Sequence, residues 1–101
     1  MNIKNLEASA IDLEQQLIRH STLTPDAADL YRGLKPLLEL VKTGKIVTPI
    51  EWGEIPGQYF FTEKGLQIFE ELEEAYAKFS IEITGGESPA LKLFREQRRQ
   101  Q

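Results

Sequence analysis

Cysteine is absent from this sequence of 101 residues. The absence excludes a disulfide framework, a thiol nucleophile and every zinc or iron–sulfur site that needs thiolate ligands. The sequence also has no apolar run close to the ~20 residues of a membrane-spanning helix, and its first thirty residues contain no apolar stretch of signal-peptide length. We therefore expect a cytoplasmic protein without a membrane partner.

Histidine occurs once, as His20, and no glycine-rich phosphate-binding motif is present. His20 follows Arg19 near the expected end of a helix, where a polar or cationic side chain interacts favourably with the helix dipole. It has no partners at the spacing of metal ligands, and no oxyanion site accompanies it. The sequence therefore predicts no enzyme activity, no cofactor and no metal site.

The formal net charge of −4 is unevenly distributed. Residues 1–50 contain six acidic and six basic side chains, residues 51–86 contain eight acidic and two basic ones, and residues 87–101 contain two acidic and four basic ones. The acidic middle segment repels phosphate backbones and attracts basic protein surfaces. A solvated helix face without a partner would give the same pattern.

Apolar residues at alternating spacings of three and four predict a first helix. The stripe consists of Ile3, Leu6, Ala10, Leu13 and Leu17. Ile11 and Ile18 widen this stripe, so we expect the face to pack into the domain core, or against a second copy in a homodimer.

A second helix is predicted to start at Thr24-Pro25-Asp26, since threonine caps helices and proline tolerates the first helical position. Gly44 provides its end. Pro36 lies inside this helix and removes a backbone donor, so we expect a kink or a break there.

Two β-prone runs, residues 45–50 and 58–61, flank a connection with proline and glycine and predict an antiparallel hairpin. Thr62-Glu63 then opens a third helix. Its predicted apolar face consists of Leu66, Phe69, Leu72, Tyr76 and Phe79. The alternation in residues 81–84 predicts a short third strand, and Ser88-Pro89 predicts the start of a last helix.

The expected fold is therefore of the α+β class and mostly helical, with four to five helices and a small antiparallel hairpin of two or three strands. Residues 1–95 are expected to form a single globular domain. Residues 96–101 are expected to form a polar, frayed C-terminal tail.

The run Tyr59-Phe60-Phe61-Thr62-Glu63-Lys64-Gly65-Leu66 resembles the end of the wing and the start of the following helix in winged-helix transcription regulators. In that family a hairpin wing follows a recognition helix, and a long helix afterwards often builds a dimer. The resemblance covers residues 36–79 and implies a winged-helix-like fold with nucleic-acid binding. Two features depart from the family: residues 36–41 are apolar where the recognition helix is basic, and the expected wing carries acidic residues.

The predicted hairpin connection carries the candidate binding site. Trp52 lies between Glu51 and Glu54, and a large aromatic side chain in such a turn is typical of an interface anchor. Alternatively, Trp52 closes the end of the sheet onto the core. Together with Glu70 and Glu74, which share one face of the third helix, these residues are expected to bind another protein through its basic surface.

Two functions follow as hypotheses. The first is a small acidic interaction or regulatory protein, such as an adaptor, an inhibitor or an immunity-type protein. The alternative is a winged-helix-like nucleic-acid-binding regulator that uses the basic residues near the C-terminus. These basic residues are Lys92, Arg95, Arg98 and Arg99.

Overall fold

A computed structural model of the chain describes residues 1–86. It contains four α-helices, which are α1 (Ile3–Ser21), α2 (Pro25–Lys42), α3 (Gln58–Thr62) and α4 (Glu70–Ile83). Two short 3-10 turns, Trp52–Glu54 and Leu66–Ile68, lie in the long connection between α2 and α4. Residues 1–86 contain no β-strand, so the predicted α+β class is wrong for this part of the chain.

The starts of the two longest helices follow from local capping. The side-chain oxygen of Asn2 accepts a hydrogen bond from the Asn5 amide at 2.9 Å and caps α1. The hydroxyl of Thr24 accepts one from the Asp26 amide at 3.3 Å, with Pro25 in the first turn, which confirms the predicted start of α2.

Pro36 does not break α2, which continues to Lys42. A proline at this position cannot donate to the carbonyl of Arg32, one turn earlier. Both residues are exposed, so water can satisfy that carbonyl. The predicted break therefore does not occur, and the alternative, a kink at Pro36, stays a prediction.

The helix α1 packs against both α2 and α4. The turn between α1 and α2 has only three residues, 22–24, so these helices are antiparallel. Arg19 at the end of α1 forms an ion pair with Glu71 at the start of α4, so α1 and α4 are antiparallel as well. The fold is a three-helix arrangement with α1 in the middle.

The core takes its side chains from one face of each long helix and from three positions in the connection. Its α1 and α2 members are Leu6, Ala10, Leu13, Leu17, Ala27, Leu30, Leu34, Leu38 and Val41. The remaining members are Ile55, Phe61, Leu66, Leu72, Ala75, Tyr76, Phe79 and Ile83. Ile11 and Ile18 are 47% and 51% exposed, so they do not widen the core as predicted.

Residues 45–50 and 58–61 do not form the predicted hairpin. The first run is irregular, and its last residue, Ile50, donates its amide hydrogen to the Ile83 carbonyl at 3.1 Å at the end of α4. The second run lies in α3, which begins after Gly57 in the left-handed conformation. Pro49 and Pro56 lack the amide hydrogens that a strand ladder needs. Without a hairpin there is no wing, so the winged-helix-like fold is also wrong for residues 1–86.

The helix α4 begins at Glu70 rather than at Thr62-Glu63. Gly65 has a φ of 82°, and the chain makes a 3-10 turn after it before α4 starts. Residues 81–83 form the last turn of α4 and no strand, because Ile83 continues the buried stripe of Phe79. The predicted last helix, the end of the predicted domain at residue 95 and the tail 96–101 lie outside the described residues.

The hydroxyl of Tyr76 fastens the connection to α4. It donates a hydrogen bond to the Pro56 carbonyl at 2.8 Å. Burial raises the pKa of Tyr76 to about 12, so the hydroxyl keeps its proton at neutral pH. The connection therefore lies along α4, from Ile50 beside the end of the helix to Phe69 at its start.

Glu14 joins α1 to α2 through two hydrogen bonds. It accepts one from the Lys42 ammonium group at 2.6 Å and one from the Tyr31 hydroxyl at 3.0 Å. The hydrogen bond from Lys42 lowers the pKa of Glu14, and the bond to Glu14 raises the pKa of Lys42. Desolvation, followed by the bond to Glu14, raises the pKa of Tyr31.

Candidate functional site

Trp52 occupies a 3-10 turn and is half-buried against the core. Glu51 and Glu54 on either side of it are exposed, and the Glu54 amide donates to the Glu51 carbonyl at 3.0 Å to close the turn. Ile55 follows as a buried residue that holds the turn in place. The tryptophan thus contributes to the core with one part and leaves another part at the surface.

Glu70 and Glu74 are exposed on α4, in a group of four glutamates within the first five residues of the helix. The residue before the helix, Phe69, provides no side-chain cap. Carboxylates in the first turn stabilise its unpaired amide groups through the helix dipole, which accounts for Glu70, Glu71 and Glu73 in structural terms. Glu74 lies beyond the range of that effect.

Two cations partly neutralise this group. Arg19 contacts Glu71 at 3.2 Å and Lys78 contacts Glu74 at 3.9 Å. All four side chains are more than 60% exposed, so each pair contributes at most about 1 kcal/mol. Glu70 and Glu73 form no ion pair within residues 1–86, so the start of α4 keeps an excess of negative charge.

The five residues predicted as one binding surface lie in two regions. The first region, with Glu51, Trp52 and Glu54, follows Ile50, whose amide donates a hydrogen bond to the Ile83 carbonyl at the end of α4. The second region begins with Glu70, the first residue of the same helix. A helix of 14 residues is about 20 Å long. Within residues 1–86, no ion pair or groove contains members of both groups.

A groove between α1 and α4 was not predicted from the sequence. Its wide part has a volume of about 470 Å³. This part is lined mainly by Ala8, Ser9 and Asp12 of α1 and by Lys78, Ile81 and Glu82 of α4. The small residues Ala8 and Ser9 beside the apolar stripe of α1 were the one available signal, since small side chains leave a hollow where helices pack.

The groove continues as a narrower hollow of about 150 Å³ toward the start of α4. This part is lined mainly by Asp12, Gln16, Glu71, Glu74 and Lys78. Asp12 and Lys78 belong to both parts, so the two hollows form one groove. Its wide part combines the apolar side chains of Ala8 and Ile81 with polar and charged ones, and its narrow part is mainly acidic.

Gln16 adds an unused acceptor to the narrow part. Its side-chain oxygen is buried and has no hydrogen-bond partner among the described residues. Leaving a buried polar atom without a partner costs about 1–3 kcal/mol.

His20 has a structural environment. It is buried at the end of α1, its Nδ1 donates to the Gln16 carbonyl at 2.8 Å, and its ring lies edge-on to Phe69 with 5.1 Å between ring centres. None of the hydrogen bonds in residues 1–86 joins His20 to a serine or threonine hydroxyl. His20 therefore lies in the last turn of α1, as the sequence predicted.

A third hollow of about 330 Å³ lies between α3 and α4. Phe61 and Tyr76 form its floor, with their ring centres 4.7 Å apart. Among residues 1–86, its polar lining residues besides Tyr76 are Gln58, Thr62 and Glu73.

The alternative nucleic-acid contacts Lys92, Arg95, Arg98 and Arg99 lie outside the described residues, so that assignment stays a prediction. Residues 1–86 hold fourteen acidic and eight basic side chains, a net charge of −6. A phosphate backbone would be repelled by this part of the chain.

Among residues 1–86, no helix has the combination of length and apolar character that crossing a bilayer requires. Comparisons of the chain with protein-family models, with curated proteins and with solved structures found no match.

Proposed function

We propose that this protein is a small acidic interaction or regulatory protein of the adaptor, inhibitor or immunity type, without catalytic activity. Its exposed glutamates at the start of α4 bind a basic surface of another protein. The main support for the proposal is the excess of negative charge at the start of α4. Four of the five residues 70–74 are exposed glutamates, and within residues 1–86 only two cations, both exposed, form ion pairs with them.

Long-range electrostatic attraction explains how such a surface would act. Clustered charge of one sign increases the association rate with a partner of opposite sign and repels partners of the same sign. Affinity then requires apolar contact as well. The exposed part of Trp52, between Glu51 and Glu54, supplies an aromatic contact with acidic neighbours at the other end of α4.

The test is a pull-down from an extract of the cells of origin at about 50 mM salt, where screening is weak. The wild-type chain is compared with the double variant Glu70→Lys/Glu74→Lys. We expect the wild type to retain a stoichiometric protein that elutes with added salt, and the variant to lose it, because two charges on the proposed surface are reversed.

The matched control is Asp29→Lys/Glu39→Lys, which makes the same change in net charge on exposed positions of α2. It should retain the partner. Equal retention by all three proteins would show that the α4 surface is not used. Retention of nucleic acid in place of protein would favour the alternative function. Melting temperatures of the variants verify that they are folded.

A further inference from the structure

The hollow between α3 and α4 lies on the side of α4 that faces away from α1. Its floor is formed by the buried rings of Phe61 and Tyr76, and Glu73 and Ala77 are exposed lining residues. The Tyr76 hydroxyl already donates to the Pro56 carbonyl, so Tyr76 contributes its ring to the hollow rather than its hydroxyl. The hollow therefore combines aromatic carbon at its floor with a carboxylate near solvent.

The two sides of α4 differ in how their glutamates are neutralised. On the α1 side, Glu71 contacts Arg19 and Glu74 contacts Lys78. On the α3 side, Glu73 forms no ion pair within residues 1–86, and the described lining of the hollow includes no basic side chain. A cation that entered this hollow would therefore meet a carboxylate whose charge is not already neutralised by the described residues.

The size and lining of the hollow favour one long cationic side chain. Its volume of about 330 Å³ is near the lower limit of the roughly 300–1,000 Å³ that is usual for ligand clefts. Arginine has an apolar stem that packs on aromatic rings and a planar guanidinium group that can donate two parallel hydrogen bonds to a carboxylate. Glu70, one turn before Glu73 on the same face of α4, adds to the negative potential.

We propose that the hollow between α3 and α4 binds one arginine side chain from the basic surface of a partner protein. The stem of this arginine packs against Phe61 and Tyr76, and its guanidinium group donates hydrogen bonds to the Glu73 carboxylate. The inference rests on the proposed function, because it specifies the contact by which a basic partner is held. It adds a short-range, directional contact to the long-range attraction exerted by the start of α4.

An NMR titration of the full-length chain with N-acetyl-arginine N-methylamide tests this binding without a partner. We expect saturable shifts of the amide signals of residues 58–62 and 73–77, with a dissociation constant on the order of 1–10 mM, because a single side chain supplies the contact. The citrulline analogue has nearly the same shape without the charge and should bind about fivefold more weakly. Equal binding of the two compounds would overturn the proposal.

Two variants separate the hollow from the general charge of the surface. Ala77→Leu fills the hollow without changing the charge, and Glu73→Gln removes its carboxylate. Each should weaken binding of the arginine compound about fivefold. Amide spectra recorded before the titration verify that each variant keeps the fold.

The matched controls are Ala8→Leu, at an exposed alanine of the groove between α1 and α4, and Glu74→Gln, at an exposed glutamate of the other side of α4. Both should bind the arginine compound as the wild type does. Unchanged affinity in Ala77→Leu would overturn the proposal. A loss confined to Ala8→Leu or Glu74→Gln would overturn it as well, because the compound would then occupy the groove beside α1.

The titration and the pull-down can fail separately. If the arginine compound does not bind while Glu70→Lys/Glu74→Lys still loses a partner, the arginine site is wrong and the acidic surface stands. If the compound binds in the hollow and the pull-down retains no basic protein, the hollow recognises arginine and the proposed function is wrong.

Discussion

Gly57 has a left-handed backbone conformation and lies close to the Leu30 side chain, and both features favour a residue without a Cβ atom. Its φ is 102°, in the left-handed region that side chains with a Cβ atom avoid. A Cβ atom there would collide with the Leu30 side chain and lie 3.6 Å from the Tyr76 ring. Gly57 therefore lets the connection approach α2 and α4 closely enough for Tyr76 to reach Pro56.

Gly57→Ala is expected to lower the free energy of unfolding by about 2–4 kcal/mol, because strain and overpacking add. Gly53→Ala is the matched control in the same connection. Gly53 has no positive φ and nothing within 4 Å of its added Cβ, so a change within about 0.5 kcal/mol is expected. Urea unfolding midpoints measure both. Similar midpoints for the two variants would contradict the described path of the connection.

Trp52 illustrates what the sequence could say about the site. The sequence shows Trp52 between two acidic residues, and it allows two roles for this side chain, an interface anchor or a core residue. The choice depends on contacts with side chains far away in the sequence, which local patterns do not contain. Trp52 is half-buried against the core, and its role as an interface anchor stays a prediction.

At the scale of elements, α2 contains a residue that weakens it. Pro36 lies in the interior of an unbroken helix and is exposed. Pro36→Ala restores one backbone donor and removes a steric conflict with the preceding turn, so we expect the free energy of unfolding to rise by about 1–2 kcal/mol. Chemical denaturation measures the change.

Gly33→Ala provides the comparison for Pro36→Ala. Gly33 is also exposed in α2, and its added Cβ would meet nothing within 4 Å. A smaller gain of about 0.5–1 kcal/mol is expected from helix propensity alone. A loss of stability in Pro36→Ala would mean that the ring of Pro36 makes a contact that α2 needs.

The sequence predicted the elements whose signals are local. The stripe of α1 and the cap at Thr24 depend only on neighbouring residues, and four of the five predicted stripe residues are buried. The hairpin prediction is wrong because β-propensity reflects packing on a sheet, and residues 1–86 form no sheet. The start of α4 was misplaced because Phe69 offers no capping side chain, whereas Thr62 does resemble one.

The groove could not have been predicted in the same way. It exists because residues 5–16 pack against residues 71–82, and that pairing is a property of the tertiary fold. Likewise, the separation of Glu51 and Trp52 from Glu70 follows from the path of the connection along α4. The excess of acidic residues in the segment 51–86, by contrast, follows from the sequence composition alone.

At the scale of the whole molecule, Glu14 makes stability depend on pH. Its pKa is lowered in the folded protein, so its contribution is present above the unfolded value of 4.5 and is lost as the pH falls through the folded value. Tyr31 and Lys42 have raised pKa values, so their contributions are present below 10.0 and 10.5 and are lost as the pH rises through the folded values.

Glu14→Gln should therefore lower the urea midpoint at about pH 7 and lower it less at about pH 3, because the wild-type carboxylate gains its proton as the pH falls through its lowered pKa. Glu39→Gln is the control, since Glu39 is an exposed partner of the same lysine at 3.3 Å. It should change little at either pH. An equal loss at both pH values would show that the charge of Glu14 contributes nothing.

The central place of α1 also determines how the chain can be divided. α2 reaches α1 through a three-residue turn, whereas α4 follows a connection of 27 residues, 43–69. A cut in that connection yields one fragment with a helical hairpin and a second with α4, each with an uncovered apolar face that fits the other. The protein is thus suited to fragment complementation, in which two separately produced pieces reassemble one core.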